Sequence, residues 1–134
     1  MAERDMTNYY ELFGGEPFFA DLVSQFYARV ATNEVLRPMY PERDMAGAAR
    51  RLQMFLEQYW GGPTTYSQER GHPRLRMRHA GFHIGPAARD AWLSCMREAV
   101  EGMNMEAEAR EKLWRYLEGA AEHLLNSFED VPTP

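Results

Sequence analysis

The chain has 134 residues, enough for one domain with a single core that needs no disulfide staples. Hydrophobic residues make up 45% and charged residues 26%, the balance of a soluble globular protein, and a net charge of −5 argues against a nucleic-acid surface. No apolar run approaches the ~18 residues that cross a bilayer, and no apolar stretch follows the charged start Met1 to Asp5, so a cytoplasmic protein without a secretory leader is expected.

In chain order, residues 1–7 read as a disordered N-terminal extension ahead of one domain, 8–128, and 129–134 read as a loose tail. Thr7 is placed to cap a short helix that runs into Gly14-Gly15. Pro17 then sits in the first turn of a second helix, where its missing N–H costs nothing. That helix carries Phe19, Leu22, Val23, Phe26, Tyr27 and Val30 at helical spacing. A short segment, Asn33 to Met39, ends near Pro38 and Pro41. Asp44 reads as the N-cap of the next helix, whose stripe is Met45, Ala48, Ala49, Leu52, Phe55, Leu56 and Tyr59, and which stops at Gly61-Gly62-Pro63. Residues 62–73 show no period and read as a long polar loop, a feature that is usually functional or disordered. Gly85-Pro86 opens a helix with Ala88, Trp92, Cys95, Met96, Ala99 and Met103 along one stripe. A last helix, Glu106 to Ser127, carries Leu113, Leu117, Ala120, Ala121, Leu124 and Phe128. One isoleucine, five valines and five threonines leave little material for strands, so the fold is expected to be all-α with five or six helices.

Few residues stand out for chemistry. One cysteine, Cys95, excludes an internal disulfide and a cysteine-based zinc site, and its place on an apolar stripe makes it a small buried hydrophobe. His79 and His83 are spaced i, i+4, which on a helix puts both rings on one face. Spacing alone leaves two readings: metal ligands, or polar residues near a helix end. Tyr27, Tyr40 and Trp92 lie on or beside three apolar stripes, and each has a polar tip that wants a partner when buried. They read as core aromatics or as donors to a ligand. The sequence holds no nucleophile elbow, glycine-rich phosphate loop or EF-hand pattern.

The string MFLEQYWGGPTTYSQERGHPRLRMRH, which starts at Met54, resembles a specific stretch of the group II truncated haemoglobins, the O-type globins. FYARV with Tyr27, EVLRPMYPE with Tyr40, RDAWLSCM with Trp92 and YLEGAAEHLLNS follow the same family in order and spacing, so the resemblance spans about residues 8 to 128. It implies a two-over-two helical sandwich, B and E on G and H, around haem b. His79 falls at the proximal position and would bind the haem iron, for which neutral imidazole is a standard axial ligand. Tyr27, Tyr40 and Trp92 fall at distal positions that donate hydrogen bonds to the ligand. Ala48 falls where many globins place a distal histidine or glutamine, and Leu52 and Phe55 would line the distal cavity. Tyr66, Arg76 and Arg78 fall near the haem propionates, which call for cations and donors. One departure is that relatives often place proline soon after the proximal histidine, whereas Gly81 follows Ala80 here.

The resemblance implies a globin that binds dioxygen, carbon monoxide, nitric oxide and similar small ligands, with oxygen held tightly by the distal donors. The alternative role is a haem enzyme acting on reactive oxygen or nitrogen species, peroxidase-like or nitric oxide dioxygenase-like. A reductase partner and a homodimer are compatible with either role, and neither partner is named by the residues.

Overall fold

The computed structural model describes residues 8–40, 45–71 and 85–124. The expected Thr7 and Asp44 caps lie outside these residues, as do the end segments 1–7 and 125–134 and all of His72, Arg74, Arg76, Arg78, His79, Gly81 and His83. Six α-helices are described: α1 (Tyr9–Phe13), α2 (Gly15–Val30), α3 (Met45–Tyr59), α4 (Thr65–Arg70), α5 (Pro86–Glu101) and α6 (Ala107–Leu124). A 3-10 turn, Arg37–Met39, follows α2. No strand occurs among the described residues, as the shortage of β-branched residues implied.

Asn8 caps α1: its Oδ1 accepts from the Glu11 amide at 3.2 Å. Gly14 closes α1 and opens α2 with φ 128°, a backbone state that a side chain would strain, and a Cβ there would sit 3.0 Å from Phe18 Cβ. This lets two helices meet with no linker. The other glycine pair works by close approach: a Cβ on Gly62 would lie 2.5 Å from the Tyr10 ring. Tyr10 is held by stacking on Phe19, centroids 5.7 Å apart, and its backbone N–H donates to Trp60 O at 2.9 Å.

The core lies where α2 meets its neighbours. Phe19, Leu22, Phe26 and Val30 of α2 are fully buried, with Met96 and Ala99 from α5 and Leu113 from α6. Helix α2 packs on both α3 and α5, and α5 packs on α6. The result is two helix pairs, α2 with α3 and α5 with α6, joined through α2. An Arg29–Glu98 ion pair at 3.2 Å also ties α2 to α5.

Three expectations are corrected. Residues 62–73 are not a featureless loop, because α4 runs through them. Its one buried residue is Tyr66, so no apolar period could show. Polar contacts hold it on α3: Arg50 donates to both Glu69 carboxylate oxygens at 2.8 Å, and Gln58 pairs with Ser67 at 2.8 and 3.0 Å. Met103 is buried but lies beyond the end of α5. Tyr59, on the α3 stripe, is 53% exposed.

Candidate functional site

Helices α3 and α5 each pack on α2 and scarcely on each other. Ala48, Leu52 and Phe55 share one face of α3 through their i, i+4, i+7 spacing. Ala48 is buried, while Leu52, Phe55 and Trp92 of α5 are only half-buried although each is apolar or largely so. Such surface wants an occupant.

The polar side of this region is built from three elements. Tyr27 lies in the last turn of α2. Tyr40 follows the 3-10 turn, which the Asn33 side chain begins by accepting from the Val35 and Leu36 amides at 3.0 and 2.9 Å. Arg37 Nη1 then donates to Tyr40 O at 2.6 Å and fixes the turn's exit. The Tyr27 and Tyr40 rings meet edge to face, centroids 5.6 Å apart at 87°, and their side chains are hydrogen-bonded. Burial pushes the Tyr40 phenol above its usual value, and the bond to Tyr27 opposes that rise. Tyr40 therefore keeps its proton and can act as a donor.

Phe26 joins Trp92 to this pair. Its ring meets Tyr27 at 4.9 Å and Trp92 at 5.5 Å, both edge to face. Thus Tyr27 and Trp92 flank one buried phenyl ring, and Tyr40 joins the cluster through Tyr27. Phe26 was legible as core but not as this hub, since its stripe position resembles any other core phenylalanine.

One turn beyond Trp92, Cys95 is 5% exposed. Burial first, then Glu98, pushes its thiol up, opposed by Arg29 and Asn33. Its burial matches the expected small, buried residue. Tyr66 is 4% exposed, meets Phe55 edge to face at 5.6 Å and carries the Arg70 guanidinium 5.9 Å from its ring centre. A groove of about 590 Å³ between α2 and α3, lined by Val23, Tyr27, Met45 and Ala49 among others, reaches the Tyr27 ring.

An all-α chain built as two helix pairs has the architecture of a truncated globin. Residues 8–126 match the family model for bacterial-like globins, and the chain belongs to that family. It is 45% identical over 115 residues to the group 2 truncated hemoglobin YjbI of Bacillus subtilis, covering 86% of each chain. Its structure is similar to that of a thermostable hemoglobin from the actinobacterium Thermobifida fusca, with a TM-score of 0.89 and 51% identity over 92% of this chain and all of that one. It is also similar to the truncated oxygen-avid haemoglobin of Bacillus subtilis, with a TM-score of 0.84 and 44% identity over 90% of this chain and all of that one. The chain is thus a group II truncated haemoglobin, and the family implies haem. The half-buried apolar surface of Leu52, Phe55 and Trp92, with the Tyr27 and Tyr40 phenols linked to Trp92 through Phe26, fits such a group. No helix among the described residues is long and apolar enough to cross a membrane.

Proposed function

We propose that the chain is a cytoplasmic haem b globin that binds dioxygen and holds it tightly through Tyr27, Tyr40 and Trp92. The clustering of Tyr27 and Trp92 on Phe26, with Tyr40 packed on Tyr27, supports this reading. Haem, when bound, supplies the iron that takes a diatomic ligand. His79 would bind the iron, and Tyr66, Arg76 and Arg78 would hold the propionates. Ala48 leaves the ligand's path over α3 unblocked, so retention falls to hydrogen bonds and the bulk of Trp92. Dioxygen carries partial negative charge when bound, and preorganised donors favour that state. The tyrosines can donate and accept, whereas the indole only donates, so the three can form a chain ending on the ligand. The same donors serve carbon monoxide less, because it carries less charge. A reductase partner keeps the protein competent for oxygen.

The absorption spectrum tests this reading. The expected result is a Soret band in the purified protein that is lost in His79→Gly and returns with added imidazole. Normal haem binding in His79→Gly without imidazole, with loss in His83→Gly, would overturn the proximal assignment. Rapid catalytic loss of nitric oxide in the presence of a reductase would place the chain among the detoxifying enzymes instead.

A further inference from the structure

Tyr59 at the end of α3 and Tyr116 in α6 stack with centroids 3.9 Å apart and planes at 25°. Tyr59 is 53% exposed, and Tyr116 is half-buried beside it. Trp60 presents an edge-to-face contact to both rings, at 5.1 and 5.5 Å. The Trp60 side chain is buried, and its indole Nε1 has no hydrogen-bond partner. Its ring also meets Phe13 at 5.1 Å and Tyr9 at 5.6 Å. The tyrosine pair is therefore the solvent end of a contiguous run of rings. Phe55, one turn back along α3, meets Tyr66.

Phenols and indoles are among the side chains most readily oxidised by one electron. A phenol that gives up an electron must also release a proton, and Tyr59 can pass its proton to water. Burial, then the nearby Tyr59, pushes the Tyr116 phenol up, so Tyr116 rests in its protonated form. A second phenol at stacking distance is placed to meet the first radical before any diffusing partner does.

We propose that Tyr59 and Tyr116 form a surface oxidation site at which the two phenols couple into a dityrosine, with hydrogen peroxide as the oxidant. The peroxide-driven step rests on the haem reading given above. Each phenol loses one electron and its O–H proton. The two phenoxyl radicals join through a ring carbon ortho to each oxygen, forming one C–C bond. The hydrogen on each joined carbon then moves to the oxygen as a proton and restores two phenols. The chain has lost two hydrogen atoms in all, and one hydrogen peroxide accepts them and becomes two waters.

The test records the Soret band first and then adds hydrogen peroxide to the full-length holoprotein. Dityrosine fluorescence and peptide mapping are the readouts. The expected product is a linked pair of peptides containing Tyr59 and Tyr116 within one chain, with fluorescence at background in Tyr59→Phe and Tyr116→Phe. Phenylalanine keeps the stack and removes only the coupling chemistry. Undiminished dityrosine in either variant, or a link that joins other tyrosines or two chains, overturns the proposal. A second arm uses ruthenium tris-bipyridyl, persulfate and visible light, which oxidise phenols without haem. Failure to form the Tyr59–Tyr116 link there overturns the pairing itself. A light-driven link without a peroxide-driven one, in protein with a Soret band, overturns the peroxide step. A missing Soret band counts against the haem reading, and the light-driven arm still decides the pair.

Discussion

Trp92 and the two tyrosines reach the same region with different chemistry, and their replacement should separate bonding from bulk. Losing one hydrogen bond of about 0.5–1.5 kcal/mol would speed ligand release roughly 2- to 13-fold. Trp92→Phe keeps an aromatic ring against Phe26 but removes the indole donor and part of the barrier. It should therefore raise the oxygen off-rate more than Tyr27→Phe or Tyr40→Phe does, and raise the carbon monoxide off-rate less. Stopped-flow dissociation of both gases from the four proteins measures this; an unchanged oxygen off-rate in Trp92→Phe would remove the indole from the retaining set. Cys95 makes a second prediction at this scale. Its thiol is buried and pushed up, so it should react with a thiol reagent slowly in native protein and rapidly once unfolded. Fast labelling of the native chain would contradict that placement. Both residues were legible as members of one α5 stripe. The convergence on Phe26 was not, because it depends on how α2 and α5 are rotated against each other.

The helices were legible in proportion to the apolar face each buries. Helices α2, α3 and α5 announce themselves through stripes that the fold uses, and the glycine pairs mark where α1 and α3 stop. Helix α4 was invisible because it docks by polar bonds, Arg50 to Glu69 and Gln58 to Ser67, which leave no period in the sequence. Tyr59 misled in the opposite sense. It continues the α3 stripe, yet the stripe runs past the core there and the ring finds Tyr116 instead. The junction after α3 yields a direct test. Gly62→Ala would place a methyl 2.5 Å from the Tyr10 ring, and Tyr10 cannot swing aside without leaving its stack on Phe19. Overpacking of this kind costs about 1–3 kcal/mol. Denaturant unfolding should show a lower midpoint with an unchanged slope, and a wild-type midpoint would mean that the α1–α3 junction yields freely.

At the scale of the whole molecule, a globin built around a slot gains stability from its occupant. Haem that binds the folded chain alone shifts the unfolding balance by mass action, so the apoprotein should be the less stable form. The buried phenols set a second whole-molecule property, the response to alkali. Burial raises both Tyr40 and Tyr116 above the usual 10.0, so each keeps its proton in the folded chain after it would lose it in the unfolded one. Above that value the unfolded state binds fewer protons, and the slope of stability against pH is negative. The contribution is fully present below 10.0 and is lost as pH rises through the folded values. Each phenol steepens the decline by at most about 1.4 kcal/mol per pH unit. Urea unfolding from about pH 9 to about pH 11 should therefore show stability falling with alkali. Tyr116→Phe removes one such proton without touching the haem slot, so it should flatten that fall. An unaltered slope in Tyr116→Phe would mean that its phenol ionises as freely in the folded chain as in the unfolded one.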